Sequence, residues 1–277
     1  MSLSFSRRAA ATLLLLGVLQ VSGCAVAPAQ DLGQRLTDPA KPQRSQMAHR
    51  PARVFTAEQP ARLMVIGDSL SQGFGQGLSQ RAAERGLNLR VLERGRVSSG
   101  LARADFYDWP ATFESLAASE KPDLVVAHFG ANDMQSVTRP GNRGTYGTDS
   151  WEPAYRAETR RVIEAALAND AVILWLGPAP DGHANLGRHL QRVAQIFKEE
   201  MEASGALYLP LAEDFGGDDG SFVRAIPVNG TNVTIRTGDL SHFNLRGYRL
   251  VADRILDDLV RYFPDLSPRT DELAALQ

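Results

Sequence analysis

The chain has 277 residues, 43% of them hydrophobic and 22% charged, enough apolar material for one sizeable core. Its 30 basic and 32 acidic residues leave a net charge of −2, which excludes the basic stripe a nucleic-acid binder needs to displace counterions. A single cysteine excludes stabilisation by an internal disulfide.

Arg7 and Arg8 precede an apolar run from Ala9 to Leu19, the layout of a secretory signal peptide. The run is too short to span a bilayer as a stable helix. Cys24 follows directly, in Val21-Ser22-Gly23-Cys24, which resembles the bacterial lipobox whose cysteine becomes the lipidated first residue of the mature protein. The expectation is a signal peptide over residues 1–23 and a membrane anchor at Cys24, giving a periplasmic lipoprotein. An ordinary signal peptide cut after Ala27-Pro28-Ala29 would instead discard Cys24 and leave a soluble periplasmic or secreted protein. A twin-arginine signal is a weaker fit, because alanines stand where apolar residues should follow the arginine pair. Residues 24–60 are rich in proline, glutamine and alanine without apolar period, as in a flexible tether.

From residue 61 the texture changes to that of a folded domain, expected over 61–265 with a C-terminal tail at 266–277. Leu63-Met64-Val65-Ile66 is a continuous apolar run, as expected of a strand covered on both faces. Similar runs recur at 89–92, 124–129, 172–176 and 207–211, with helical patterns at about 76–86, 110–120, 151–168, 185–204 and 246–262. Strands alternating with helices imply an α/β domain with a mostly parallel, five-stranded sheet whose strand C-termini share one edge. Residues 134–150 form a long polar loop, of a length that is usually functional or disordered. Residues 221–237 read as two short strands around an Asn229-Gly230 turn.

Ser69 follows the first strand, where a parallel sheet presents its site. A serine hydroxyl needs a base to take its proton, and the base needs an orienting group. Of the five histidines, His49 falls in the tether and His128 inside an apolar strand; His183 and His189 suit surface positions. His242 stands immediately before the last helix, with Asp239 three residues earlier in the same turn, close enough to fix its tautomer. Asp239 could equally be a helix cap. Asn132, in Gly130-Ala131-Asn132-Asp133 after the third strand, emerges on the same edge as Ser69 and offers an amide donor. Gly100, in Ser98-Ser99-Gly100, offers a backbone N–H without an obstructing side chain. Caps and turns are the ordinary alternatives for both. Asp68 suits the shaping of the turn, and the glycines at 73, 75 and 77 suit close backbone packing at the floor of the site.

Taken together, Gly67-Asp68-Ser69-Leu70, Gly100, Gly130-Ala131-Asn132-Asp133 and Asp239-Leu240-Ser241-His242 resemble the SGNH (GDSL) hydrolase family, with all four blocks in the family's order between about residues 62 and 262. The resemblance implies a flavodoxin-like, three-layer α/β/α sandwich. It also implies Ser69 as nucleophile, His242 as base, Asp239 as its orienter, and an oxyanion hole from the Ser69 and Gly100 N–H groups with the Asn132 amide. A finer resemblance is to a poorly characterised exported bacterial subgroup, through Ser99-Gly100-Leu101-Ala102-Arg103 and Asp105-Phe106-Tyr107-Asp108-Trp109-Pro110. The second block departs from some relatives, which carry an asparagine ahead of the glycine where this chain has Glu93-Arg94-Gly95-Arg96-Val97.

No cofactor is expected. One cysteine and dispersed histidines make no closed zinc site, and no lysine follows the glycines near Ser69 to hold a phosphate. The family implies an esterase acting on an acylated small molecule or glycan, and an anchor at Cys24 would hold it beside cell-envelope glycans. Two other functions compete: an O-acyltransferase passing the same acyl group to a sugar hydroxyl, and a non-catalytic envelope-tethered binding or assembly module. Trp109, Tyr146 and Trp151 could stack on sugars or simply pack.

Overall fold

A computed structural model describes residues 53–268. β1 (Ala61–Gly67) is flanked by β2 (Leu89–Glu93) and β3 (Leu124–His128), and β4 (Val172–Gly177) and β5 (Leu207–Pro210) extend the sheet beyond β3. The order is β2-β1-β3-β4-β5, with every pairing parallel.

The apolar runs are continuous because each face of the sheet meets a layer of helices. Leu63 and Val65 join one core with Leu70, Phe74 and Leu78 of α1 (Ser69–Glu84) and Val251, Ile255 and Leu259 of α6 (Leu245–Tyr262). Met64 and Ile66 join the other, with Trp109 and Phe113 of α2 (Trp109–Glu120), Tyr155 and Val162 of α3 (Trp151–Ala168) and Val193 and Phe197 of α4 (Ala184–Ser204). Short α5 (Leu211–Phe215) starts where the run at 207–211 reads as strand, so β5 stops at Pro210. Strands β6 (Ala225–Val228) and β7 (Thr231–Thr234) form the expected hairpin. Asn229 and Gly230, with φ of 50° and 73°, make its turn of the type whose twist matches the strands.

Three boundaries differ from the sequence reading. Helix α1 begins at Ser69, well before residue 76, because the Asp68 carboxylate caps it by accepting from Leu70 N–H at 3.0 Å. Its glycines are therefore helical: a Cβ on Gly73 would lie 2.2 Å from the Tyr248 ring, so close packing is against α6. The end of the supposed tether, from Arg53, belongs to the fold. Phe55 is buried, its N–H donates to Asp265 at 2.8 Å, and Arg53 pairs with Asp123 at 2.6 Å. Leu266 is buried too, and its carbonyl accepts from Asn88 N–H at 2.7 Å, which carries the fold past 265. The expected signal peptide, Cys24, most of the tether and His49 lie outside the described residues.

The loop at 134–150 is tied down. Val137 and Gly144 form an antiparallel bridge, and the Arg139 guanidinium spans Asp108 at 2.5 Å and fully buried Glu158 at 2.7 Å. Trp109 and Trp151 are completely buried, so neither stacks on a sugar; Tyr146 packs edge-on against Trp151.

Candidate active site

Strand β1 leaves for β2 on one side, while β3 lies on the other, so the C-terminal ends of β1 and β3 part at the switch point of the sheet. A crevice there collects the loops that follow both strands. Gly67 ends β1 with a φ of 131°, and a Cβ would stand 1.8 Å from the His128 carbonyl oxygen, so the turn admits only glycine. Asp68 then caps α1 from a fully buried position, and Ser69 takes the first position of the helix. Its N–H is among those that a helix leaves unpaired, at the positive end of the backbone dipoles.

Ser69 Oγ lies 2.9 Å from His242 Nε2, and His242 Nδ1 lies 2.7 Å from Asp239 Oδ2. A carboxylate can only accept, so Nδ1 carries the imidazole proton and Nε2 is free to accept from the serine hydroxyl. Asp239 does not cap α6; Asn244 does, accepting from Gly247 N–H. The Asp239 carboxylate instead holds its own turn, with Oδ1 accepting from Thr237 Oγ1 at 2.5 Å, Ser241 N–H at 3.1 Å and His242 N–H at 3.0 Å. The Thr237 hydroxyl, then the His242 ring and the two N–H groups, hold its carboxyl well below the usual carboxylate range, so it is an anion at neutral pH. Leu240, inside this turn, has a φ of 65°, a costly conformation for a branched side chain that the surrounding bonds impose.

Asn132 follows β3 and lines the same cavity as Ser69 and His242, about 140 Å³ in volume. Its amide donates one hydrogen to the Ser99 carbonyl at 3.0 Å, which leaves a second for a ligand and ties the two loops together. Gly100 is the next residue along. Buried Asp133 accepts from Ala102 N–H and Tyr155 hydroxyl, each at 2.8 Å, and a Cβ on Gly100 would lie 2.2 Å from its Oδ1. Asp133 thus draws the glycine loop against β3, and burial pushes its carboxyl upward. Its position beside Asn132 was the one sequence signal for this role.

Other neighbours carried none. Arg236 is 4% exposed and lines the cavity; its guanidinium donates to Ser241 O at 2.8 Å and Pro180 O at 2.9 Å and sits 3.9 Å above the Phe243 ring. It therefore grips both residues that flank His242. Its Nε has no hydrogen-bond partner among the described residues, and burial lowers its pKa to about 10, so the charge persists at neutral pH. His128 also reaches the cavity from β3, with Nδ1 3.3 Å from Asp68 Oδ1 beneath Ser69. His183 is exposed and paired with Asp181 at 2.9 Å, as suits a surface position. His189 is buried, contrary to the surface position expected of a residue in the helix after the fourth strand, with Nε2 3.2 Å from Gly130 O and Nδ1 3.2 Å from Tyr146 Oη.

A family model described as "Protein of unknown function (DUF459)" matches residues 62–258. The chain belongs to the DUF459 family. No curated protein matches its sequence. Solved structures share the fold of this DUF459 chain at low identity. An acetyl xylan esterase is 18% identical, with a TM-score of 0.53, over 72% of this chain and 99% of that one. A GDSL-like lipase from Bacteroides thetaiotaomicron is 15% identical, with a TM-score of 0.54, over 73% and 88%. An esterase from Pseudoalteromonas sp. is 14% identical, with a TM-score of 0.50, over 73% and 97%. The resemblance to SGNH (GDSL) hydrolases is thereby borne out in the fold, a parallel five-stranded sheet between two helical layers.

Proposed function

We propose that this DUF459 protein is a serine esterase with Ser69 as nucleophile, His242 as general base and Asp239 as its orienter. The observation that carries the reading is the unbroken chain from Ser69 Oγ through both nitrogens of His242 to an ionised Asp239. As Ser69 Oγ bonds to the ester carbonyl carbon, its proton passes to His242 Nε2, and the negative charge moves to the carbonyl oxygen. The Ser69 and Gly100 N–H groups and the Asn132 amide supply donors to that oxygen, each worth roughly 2.7–4 kcal/mol in a preorganised site. Nε2–H then protonates the departing alcohol, leaving an acyl-serine. Water, deprotonated by His242, cleaves it to the free acid and restores Ser69.

The cavity at Ser69 is smaller than the roughly 300–1,000 Å³ of drug-sized pockets, and Leu70, Ala131, Ala179 and Leu190 help to wall it. That favours a short acyl group. The His242 and Asp239 side chains are 40% and 51% exposed, so water reaches the base freely, which favours hydrolysis over transfer to a sugar hydroxyl. An intact serine–histidine–aspartate chain has no use in a purely binding module. Export, through the apolar run at 9–19 and Cys24, and action on envelope or exported glycans belong to the same proposal; membrane fractionation of the full chain tests the first.

The wild type should hydrolyse 4-nitrophenyl acetate and react with an alkyl phosphonate that adds to Ser69. Ser69→Ala should lose at least about 10³-fold in kcat. Equal activity in the variant, or label on another residue, defeats the assignment.

A further inference from the structure

An ester has two sides, and the cavity at Ser69 has room for one of them. A second and larger cavity, about 330 Å³, adjoins it and shares Pro178, Ala179, Asp181 and Leu190 as a common wall. The segment after β4 forms most of that wall, and the fold holds it rigidly beside the triad turn. Gly182 N–H donates to Leu240 O at 3.1 Å, and a Cβ on Gly182 would lie 2.7 Å from the Leu240 Cβ. Beneath the wall, Arg236 binds Pro180 O on one side and Ser241 O on the other, and its guanidinium lies 5.6 Å from the Phe222 ring, which lines the larger cavity. The two spaces are thus built around one ridge.

The lining of the larger cavity differs in kind from that of the smaller. Its lining is mostly apolar and includes two rings, Tyr208 and Phe222, with the Asp181 and Glu213 carboxylates. Along one edge, α4 presents Gln191, Gln195 and Lys198, spaced at i, i+4 and i+7 on one helix face and all exposed. The Gln195 amide donates one hydrogen to Glu199 at 2.6 Å and keeps a second, and Lys198 stands 4.0 Å from Glu202. Rings lining one cavity with amide and carboxylate groups match the two surfaces of a pyranose, an apolar C–H face and a rim of hydroxyls. A long acyl chain would have no use for that polar edge.

We infer that this second cavity, between α4, β5 and the 217–222 turn, is a sugar subsite that holds the alcohol side of the ester while its short acyl group sits at Ser69. The inference rests on the esterase reading for its place in the reaction, but sugar binding can be measured without turnover. Two variants test it: Gln191→Ala with Gln195→Ala, and Gln195→Trp, which fills the space from an exposed position and leaves the core untouched.

With acetylated xylotriose as substrate, both should lower kcat/KM about tenfold, the loss of one or two hydrogen bonds, mainly through KM. With 4-nitrophenyl acetate, which has no sugar to place, both should match the wild type. In the Ser69→Ala protein, unacetylated xylotriose should perturb the side-chain amide NMR signals of Gln191 and Gln195, whatever the catalytic outcome. Equal losses on both esters, losses confined to 4-nitrophenyl octanoate, or no amide perturbation by xylotriose at millimolar concentration would each overturn the subsite. Inactivity of the wild type on every ester, with amide perturbation intact, would overturn the esterase reading and leave the sugar site standing.

Discussion

Removing the Arg236 side chain would strip the Ser241 and Pro180 carbonyls of their donor and uncover the Phe243 ring, while leaving Ser69, His242 and Asp239 chemically intact. The stability terms oppose one another. Two carbonyls lose partners at about 1–3 kcal/mol each, but a buried cation that no carboxylate among the described residues pairs directly, though Asp181 and Asp239 act on it from a distance, also stops incurring its desolvation cost. Arg236→Met should therefore shift the melting temperature little, yet lower kcat on 4-nitrophenyl acetate about tenfold, with KM nearly unchanged, because the imidazole loses the frame on both sides of it. Arg236→Lys, which keeps the charge but reaches one carbonyl, should recover part of the loss. Unchanged kcat in the methionine variant would remove the positioning role. Such a residue is illegible in sequence, since its meaning depends on residues 180, 222, 241 and 243 converging. Ser69, Asp239 and His242 stood out for the opposite reason: each lies in a short local block whose spacing reports its chemistry.

At the scale of elements, the five strands of the main sheet and four of the six α-helices among the described residues emerged from apolar periodicity, because a doubly covered sheet leaves a pattern that survives in a single sequence. Helix α1 was the partial failure. Three glycines in its second and third turns each cost about 1 kcal/mol relative to alanine, so propensity argued for a turn where tertiary contact imposes a helix. The reason lies on α6: Gly73 faces the Tyr248 ring and Gly77 would bring a Cβ within 2.9 Å of the Tyr248 carbonyl oxygen. Short α5 escaped because five residues carry no period. The glycines give a direct contest of magnitudes. Gly73→Ala gains about 1 kcal/mol of helix propensity but meets an aromatic ring at 2.2 Å, and overpacking typically costs about 1–3 kcal/mol. Thermal melts should show a net loss of stability for Gly73→Ala and for Gly77→Ala. A rise in either melting temperature would mean that α1 and α6 are less tightly packed than the ring contact requires.

For the whole molecule, the same burial that orders the loop at 134–150 makes stability depend on pH. His189 bridges that loop to the end of β3, its Nε2 donating to Gly130 O and its Nδ1 accepting from the Tyr146 hydroxyl, a neutral ring with both nitrogens paired. Burial, reinforced by the nearby Arg192 cation, lowers its pKa to about 4 against the backbone bond that opposes the shift. In the unfolded chain an unperturbed histidine titrates near 6.5. Between about pH 6.5 and pH 4 the unfolded state therefore takes up a proton that the folded state refuses. Stability is full above the unfolded value and falls as the pH drops, by about 1.4 kcal/mol per unit and about 3 kcal/mol in all by pH 4. The ion-paired carboxylates act in a lower window: Asp108 and Glu152 are held below their usual range by Arg139 and by Arg156, and their contribution is lost below about pH 4. His189→Gln keeps a donor for Gly130 and an acceptor for Tyr146 but removes the titration. Urea unfolding at half-unit intervals should show the wild type losing about 3 kcal/mol more than His189→Gln between pH 6.5 and pH 4. Parallel curves for the two proteins over that range would show that the His189 ring is protonated in the folded state and that the loop is anchored by other contacts.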